Sequence, residues 1–549
     1  MALSGAERVS AAERKGYLLS RVAAAGLSGL LIAAAFPPLR LYGLAWVGLV
    51  PFIWAAVTSR SARDAALFGF AYGYLLTLGV VWWLAEFGGF PPLVIGVLVG
   101  YAFAFYAIVL RNLILRGPWL FMIGGALLYT AIETLDQFGF WSIPLMLMAQ
   151  TQTSFLPILQ VADLTGQWGI TFLVLLVNLG IAYYLWGARN HDELLIALVF
   201  PAVVFLSVLT YGVVQMRSFS FYSSSRPIYG ERAVVAIVQN GGGELVEWTP
   251  DYAKRVLRGY LSFVRKKLTK EDVVDLIIFP EATILFALPK DRPDPYIPSG
   301  LFDLASDYGA SLLFGTTLLD RPVEGEGYHF GGEEGIRNYN GAQLISPYRM
   351  ALANYGKNRP VPFGETQPLG PALKFIHFPW GEQGYDSWRR HNALPTQKLG
   401  ITLGVSICFE NLYPEIARGQ VLDGATVLID ISNFQWFRNQ VASKINAAVD
   451  ALRAVEFRRF YLRASTVGYS QVISPAGEVI WRSPHAYGSF LRTQVVEANE
   501  KLTLYARLGD WFAYLAIAVS LVLILRLILL GAEERGMKLE LIDLRRLFK

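Results

Sequence analysis

The only cysteine of the 549-residue chain, Cys408, lies in the stretch GVSICFEN and is the candidate nucleophile. A thiolate attacks carbonyl carbon, but an ordinary thiol is mostly protonated at neutral pH, so a catalytic cysteine needs a nearby base or cation. The alternative is that Cys408 is a small buried apolar residue. A single cysteine excludes an intramolecular disulfide.

Charged residues end three apolar segments that read as strands. Glu281 ends VVDLIIFPE, Lys357 and Glu365 lie in YGKNRPVPFGE, and Glu410 follows Cys408 at the end of LGITLGVSICFE. Functional groups collect where the strands of an α/β sheet end. Lys357 suits stabilising a thiolate and then an oxyanion, and Glu281 suits moving the thiol proton. The ordinary alternatives are solvent charges, a cap for Glu365 and a buried salt bridge for Glu410.

The sequence lacks the residue patterns of other common catalytic sites. None of the five histidines lies in a comparable strand-end position, and GxSxG, HxxxH and CxxC are absent from the sequence. A serine hydrolase and a zinc site are therefore not expected, and we expect no metal or cofactor. The net charge of +5 is small for this length and forms no basic stripe, so no nucleic-acid partner is predicted.

Short β-branched segments follow one another after residue 231 and alternate with helical patterns at 250–270 and 440–461. A nearly continuous apolar character is typical of strands covered on both faces. The pattern predicts an α/β domain with at least six strands, from AVVAIVQN, VVDLIIFPE, SLLFGTT, YNGAQLIS, LGITLGVSICFE, ATVLIDISN and GYSQVISPAGEVI.

The remaining sequence is typical of a membrane protein. Apolar residues make up 54% of the chain and charged residues only 17%, and the mean hydropathy is +0.39. A span needs about 20 apolar residues. Eight spans are predicted: 18–36, 41–58, 65–85, 92–111, 118–134, 168–187, 193–215 and 510–530. We expect a helical bundle at 1–215, the α/β domain at 216–508, and a last span with its tail at 509–549.

Lysine and arginine in the short connections predict the orientation. Basic residues at the N-terminus, at alternate connections and in the C-terminal tail fall on one side, which is the cytoplasmic side by the positive-inside rule. Seven crossings then place 216–508 outside the cytoplasm, with both termini inside. A carboxylate at a span end, Glu133, reads as interfacial or as functional. Segments 284–296 and 375–392 suit either lids at lipid headgroups or ordinary surface loops.

The order FPE, KNRPVPFGE and strand-borne CFE within one α/β domain resembles the nitrilase superfamily with its Glu-Lys-Cys triad. Seven spans before that domain and one after it narrow the resemblance to the membrane-bound apolipoprotein N-acyltransferases. The similarity covers essentially the whole chain, including ADLTGQWGITFLV. It implies an αββα sandwich in a bacterial cytoplasmic (inner) membrane, with the sandwich on the periplasmic side. We expect a monomer.

The resemblance also implies roles for single residues. Glu281 is similar to the general base, Lys357 to the oxyanion stabiliser and Cys408 to the nucleophile. Glu365 is similar to a second carboxylate, which orients the lysine and the acceptor amine. Glu410 is similar to a carboxylate that is essential in the family. The backbone N–H of Phe409 is expected to help hold the oxyanion. Trp248 and Trp436 resemble aromatic residues near the entrance, although core or interfacial positions fit both equally.

The implied reaction is a ping-pong acyl transfer from a phospholipid, typically phosphatidylethanolamine, through a cysteine thioester to the amine of a diacylglyceryl-cysteine on an apolipoprotein. The sequence departs from the family pattern in SNFQWF, where Phe434 replaces an acid, and in RASTVG, which carries Thr466 and Val467. The alternatives are a membrane-tethered amidase or hydrolase, a paralogue that acylates another amine, and a non-catalytic scaffold.

Overall fold

The computed structural model describes residues 11–533 except 136, 139–141, 143, 222–230, 242–248, 292, 322–334, 367–383 and 397–399. Its N-terminal part is helical. The helices are α1 (Ala11–Ala35), α2 (Val50–Val57), α3 (Ala62–Val81), α4 (Pro91–Leu113), α5 (Gly125–Leu135), α6 (Leu156–Leu159), α7 (Ala162–Thr165), α8 (Gln167–Trp186) and α9 (His191–Phe219).

Six helices within the described residues have the length and apolar character needed to cross a membrane, namely α1, α3, α4, α8, α9 and a helix near the C-terminus. The predicted spans 41–58 and 118–134 coincide with shorter apolar helical segments, Tyr42–Val57 and Leu120–Leu135. Several apolar helices thus fit a membrane protein, and the count of eight spans stays a prediction. Asn190 caps α9 by accepting the backbone N–H of Glu193.

Glu133 lies in the last turn of α5 and is buried. Its carboxylate accepts the backbone N–H of Met148 at 2.7 Å and the hydroxyl of Thr171 at 2.8 Å. Glu133 therefore joins α5 to α8 and to the following loop from within the helical part. A buried carboxylate needs such donors.

The second part of the chain is an α/β domain. Its elements are β1 (Arg232–Asn240), α10 (Pro250–Lys267), β2 (Leu276–Ile278), β3 (Ala287–Pro289), α11 (Ser299–Tyr308), β4 (Ser311–Leu319), β5 (Asn338–Ile345), β6 (Ala351–Gly356), β7 (Leu394–Pro395), β8 (Thr402–Ile407), α12 (Pro414–Leu422), β9 (Val427–Ser432), α13 (Val441–Phe457), β10 (Tyr461–Ser465), β11 (Gln471–Ile473), β12 (Val479–Arg482), β13 (Ser489–Glu497) and α14 (Leu504–Leu508). Helix α15 (Trp511–Glu533) follows.

The strands form two sheets. The first has the order β13-β1-β2-β4-β5-β6 with β3 beside β4, and the second has the order β12-β11-β10-β9-β8-β7. The β1-β2-β4 and β8-β9-β10 ladders are parallel. Because successive side chains of a strand point to opposite faces, Val235 and Ile237 join the core shared with the second sheet, while Ala236 and Val238 pack with α10 and α11.

Helix α13 covers the second sheet and is buried along almost its whole length. The arrangement is therefore helix, sheet, sheet, helix, and the second helix layer is itself covered by the helical bundle. Apolar residues of the bundle and of the second sheet belong to one continuous core. This explains why the domain carries so many fully apolar segments, as the strand pattern predicts.

The predicted lid at 284–296 is wrong for its first half. Residues 287–289 form β3, which pairs in parallel with β4, and Ile284, Phe286 and Leu288 are buried. This segment is apolar because it belongs to the sheet. The predicted segment 375–392 is described only from residue 384, where it runs beside the ends of β5 and β6 through hydrogen bonds from Asp386 and Trp388.

Candidate active site

The predicted triad residues all lie just beyond strand ends. Glu281 follows β2, Lys357 directly follows β6 in the same sheet, and Cys408 directly follows β8 in the facing sheet. The side chains of all three are buried. Gly315 allows β4 to approach the Glu281 turn, because a Cβ atom there would lie 2.6 Å from the Glu281 Cα atom.

Hydrogen bonds link the acidic and basic residues. Lys357 Nζ lies 3.0 Å from Glu365 Oε1 and 2.8 Å from Oε2. Asn340 Nδ2 donates to Glu281 Oε1 and to Glu365 Oε1, both at 2.7 Å, and the backbone N–H of Val361 holds the other Glu365 oxygen at 2.7 Å. Glu281 Oε2 is buried and accepts no hydrogen bond of ordinary geometry among the described residues, although a weaker contact with the Asn433 backbone N–H lowers the pKa of this carboxyl. A buried acceptor of this kind suits a proton-transfer group.

Cys408 begins the 3₁₀ turn Cys408–Leu412 with a φ of 60°, in the left-handed region that non-glycine residues rarely adopt. Such strain persists only where neighbours hold it. Here Asn446 of α13 reaches the Cys408 carbonyl at 3.5 Å and donates to Asn411 at 2.6 Å. Hydrogen bonds from α13 therefore hold the turn in this conformation.

Glu410 joins the cysteine turn to the lysine loop. It is fully buried, and its two oxygens accept the backbone N–H groups of Ile407 at 2.9 Å, Asn358 at 2.6 Å and Arg359 at 3.1 Å. The hydroxyl of Tyr355 donates to the same carboxylate. Glu410 thus links the turn that bears Cys408 to the loop that bears Lys357 through hydrogen bonds with backbone donors.

The electrostatics of the three residues are mutually coupled. Burial and the charge of Glu281 raise the pKa of the Cys408 thiol, and Lys357 opposes this rise. Burial raises the pKa of Glu281, Lys357 lowers it and Glu365 raises it. Burial also opposes the charge of Lys357, but the carboxylates of Glu365 and Glu281 together raise the pKa of its ammonium. The resting pair is therefore a thiol beside a firmly charged lysine.

The remaining predicted residues surround this centre unevenly. Phe409 is buried and packs its ring 5.5 Å from that of Phe434 and 5.9 Å from that of Phe437. Trp436 lies half-buried in the same turn after β9. Trp248 lies outside the described residues.

Both departures from the family pattern touch the site. Thr466 donates its hydroxyl to the Glu281 carbonyl at 3.1 Å. The Val467 carbonyl accepts the backbone N–H of Phe434 at 3.0 Å. The departures therefore contact the Glu281 backbone and the Phe409 ring, and Phe434 places an aromatic ring where the family pattern has an acid.

Sequence reasoning missed Asn340 and Tyr385. Asn340 is a polar residue in a strand with every position buried, which is the one local signal of its special position. Tyr385 donates its backbone N–H to the Glu365 carbonyl at 2.8 Å, and its hydroxyl lies 3.3 Å from that of Thr317. Burial raises the pKa of Tyr385 to about 12, with further contributions from Glu365 and Glu281. No sequence spacing indicates this contact.

Comparison with known families gives two matches that together span most of the chain. A family described as Apolipoprotein N-acyltransferase N-terminal domain matches residues 28–180, and one described as Carbon-nitrogen hydrolase matches residues 220–487. The boundary between them falls where the helices give way to the α/β domain.

Similar proteins cover nearly the full length. An apolipoprotein N-acyltransferase of Geobacter metallireducens is 27% identical over 520 residues, which cover 92% of this chain and 94% of the relative. One of Thermotoga maritima is 25% identical and covers 94% and 95% of the two chains. The solved structure of Saccharomyces cerevisiae Nit3, a member of the nitrilase superfamily, aligns with 52% of this chain and 97% of its own, with a TM-score of 0.37 and 17% identity.

Proposed function

We propose that this chain, which belongs to the apolipoprotein N-acyltransferase family, transfers an acyl chain from a membrane phospholipid to the N-terminal amine of the diacylglyceryl-cysteine of apolipoproteins. The observation that supports the proposal is that Glu281, Lys357 and Cys408 lie just beyond strand ends of two facing sheets, where each affects the pKa of another. The core of these sheets is continuous with that of the apolar helices. Phosphatidylethanolamine is the proposed donor.

In the first half-reaction Glu281 Oε2 takes the thiol proton while Cys408 Sγ attacks the ester carbon of the phospholipid. The charge that develops on the ester oxygen is stabilised by Lys357 Nζ and by the backbone N–H of Phe409. The C–O bond then breaks, and Glu281 returns the proton to the lysophospholipid oxygen. The product is a thioester on Cys408. Since the resting thiol has a raised pKa, proton removal and attack occur together on substrate binding.

In the second half-reaction the free amine of the acceptor attacks the thioester carbon and gives a proton to Glu281. The C–S bond breaks, and the sulfur of Cys408 receives that proton. Glu365 holds Lys357 throughout and is close enough to share Asn340 with Glu281, which supports its role in orienting the lysine and the amine. No cofactor is needed for this balance.

The proposed location is the bacterial inner membrane, with the α/β domain on the extracytoplasmic side and both termini in the cytoplasm. Six apolar helices and the distribution of basic connections support it. Both substrates are anchored in a bilayer, which accounts for a nitrilase-like domain whose second helix layer is covered by apolar helices.

The test uses purified protein with phosphatidylethanolamine, with and without a diacylated lipopeptide. The proposal expects a labelled acyl group on Cys408 without the lipopeptide and an acylated amine with it. Free fatty acid as the only product indicates a hydrolase, and no product indicates a scaffold. Cys408→Ser must abolish whichever activity is found, and full activity in that variant means that the nucleophile is another residue.

A further inference from the structure

A polar cavity of about 380 Å³ lies against the segment 384–390, close to the candidate active site. The segment is fixed to the site by backbone hydrogen bonds, from Asp386 to the Asn338 carbonyl at 2.7 Å and from Trp388 to the Lys357 carbonyl at 3.0 Å. The cavity is therefore adjacent to the loop that carries Lys357. Its charged lining residues are Lys290, Asp320, Arg337, Asp386, Arg389 and Arg390.

Positive charge exceeds negative charge in this lining. Asp320 accepts Arg337 Nε at 2.7 Å and lies 3.7 Å from Lys290 Nζ, and the Asp386 carboxylate accepts the backbone N–H of Asn338 at 3.2 Å. Arg389 and Arg390 form no ion pair within the described parts of the chain. The Arg390 guanidinium lies over the Trp388 ring at 5.9 Å from its centroid, which leaves its in-plane N–H groups, like those of Arg389, for a ligand.

The backbone that carries these two arginines is held in place. The Trp388 ring packs edge-on against Tyr339 at 5.0 Å and lies so close to Gly356 that a Cβ atom there would be 2.6 Å from it. The Arg390 carbonyl accepts Asn358 Nδ2 at 2.8 Å, and Arg389 has a φ of 58°. A fixed backbone with exposed arginine side chains favours binding over a merely solvated surface.

We propose that this cavity, built around Arg389 and Arg390, binds the phosphate group of the phospholipid donor. The inference rests on the proposed function and names the part of the donor that the site recognises. A guanidinium group matches two phosphate oxygens at once, and the volume accommodates a glycerophosphate headgroup rather than a bare ion. Free phosphate has the same chemistry, and the experiment separates the two sources.

The kinetic test compares R389Q/R390Q with the control R255Q/R258Q, which removes two exposed arginines of α10. Thioester formation is measured with phosphatidylethanolamine and with a p-nitrophenyl acyl ester, which has no phosphate. The proposal expects the first variant to raise the KM for phosphatidylethanolamine about tenfold, with little change in kcat, because two charge-assisted contacts are lost. The control variant and the phosphate-free donor are unaffected. Equal losses with both donors, or no loss, overturn the proposal.

A binding test does not depend on turnover. Glycerophosphoethanolamine, the soluble headgroup, is added to the Cys408→Ser protein in detergent, and its thermal protection is compared with that in the same protein carrying R389Q/R390Q. Protection lost with the two arginines supports the site even if acyl transfer itself fails, so the two proposals fail separately. No protection overturns the site. Equal protection by inorganic phosphate, with an unchanged KM for phosphatidylethanolamine, assigns the cavity to free phosphate and overturns the donor assignment.

Discussion

At the scale of single residues, the two carboxylates of the site differ in how their oxygens are hydrogen-bonded. Glu365 has both oxygens engaged by Lys357, Asn340 and Val361. One oxygen of Glu281 accepts no hydrogen bond of ordinary geometry among the described residues. The carboxylate with this less engaged oxygen is the one suited to accept a proton, and the saturated carboxylate is suited to hold the lysine. This distinction does not appear in the sequence.

Glu281→Gln keeps the shape of the side chain and its contact with Asn340 but removes the proton acceptor. We expect thioester formation to fall about 10²- to 10⁴-fold, the usual contribution of general acid-base catalysis. The measurement is single-turnover labelling of Cys408 by a phospholipid. Asp307→Asn, at an exposed carboxylate of α11, is the matched control. A labelling rate within a factor of two of the parent enzyme contradicts the assignment.

The pH dependence of kcat/KM provides a second test. Burial raises the pKa of Glu281, and Glu365 raises it further, so activity falls at an acidic pH higher than that of an ordinary carboxylate, as Glu281 becomes protonated. Glu365→Gln removes one of the charges that disfavour ionisation of Glu281. The acid limb of the remaining activity then moves to lower pH, whatever the loss of rate. A limb that stays in place, or moves to higher pH, excludes Glu281 as the titrating base.

At the scale of elements, one buried carboxylate and one exposed carboxylate hold together segments that are distant in sequence. Glu410 links the turn after β8 to the loop after β6. Glu86, in the 3₁₀ segment Trp82–Phe87 between α3 and α4, accepts the backbone N–H groups of Arg438 at 2.9 Å and Asn439 at 3.3 Å. Each carboxylate fixes two pieces of backbone that are far apart in sequence.

Glu410→Gln removes an acceptor from a fully buried cluster of backbone donors. Leaving one such donor unpaired costs about 1–3 kcal/mol, and the turn that bears Cys408 shifts relative to Lys357. We expect lower thermal stability and a kcat lowered more than KM is raised. Stability and kinetics are measured on the same detergent-solubilised preparation. An unaltered kcat contradicts a positioning role.

The same substitution alters how stability depends on pH. Burial raises the pKa of Glu410 from 4.5 to about 7, so the folded state binds this proton more tightly than the unfolded state. Its contribution to stability is fully present below the ordinary value of 4.5 and is lost as the pH rises through about 7. The stability difference between the parent and Glu410→Gln should therefore change across this window. A constant difference from pH 4.5 to 8 contradicts the raised pKa.

Glu86→Ala tests the contact between the helical part and the turn that bears Trp436. Phe437 of that turn packs 5.4 Å from both Trp83 and Phe87 and contacts Phe409, which follows Cys408. Loss of the carboxylate loosens this turn, so we expect a severalfold higher KM for the phospholipid. Glu86→Gln retains one acceptor oxygen, so its KM should lie between those of the parent protein and Glu86→Ala. Glu271→Ala, at an exposed loop, leaves KM unchanged. Equal KM values in all four proteins disprove a link between the two loops.

The elements that the sequence predicts are those whose signal is local. Apolar strands such as β4 and β8 lie where their pattern indicates. Strand β10 is not predicted, because Arg463 interrupts it and is neutralised only by Asp430 and Asp450 from other elements. Strand β13 is missed because it is a sheet edge with exposed side chains. The positions of Glu281, Lys357 and Cys408 at or just beyond strand ends were predictable. The contacts of Asn340 and Tyr385 depend on pairing that no local pattern contains.

At the scale of the whole molecule, the bundle and the α/β domain form one packed body. Beyond their shared apolar core, polar side chains of α7 and α8 meet the end of α13. Gln167 accepts Arg453 Nη2 at 2.9 Å and donates its backbone N–H to Glu456 at 3.1 Å. The segment ADLTGQWGITFLV lies at this junction. Its likeness to the family therefore reflects the attachment of the domain to its helices as well as a span.

The centre of this junction is a buried ion pair whose loss should separate the two parts. Arg458 Nη2 lies 2.6 Å from Asp163 Oδ2, and Tyr211 donates to the other oxygen at 2.7 Å. Removing one member of such a pair costs about 3–5 kcal/mol, because the other charge stays buried. Arg458→Leu should therefore destabilise the protein strongly, and adding Asp163→Leu should restore much of the loss. Arg265→Leu, which breaks an exposed pair with Asp307, should cost no more than about 1 kcal/mol. Unfolding in detergent measures the parent and these three variants, and a double variant no more stable than Arg458→Leu would show that the pair does not couple the domain to its helices.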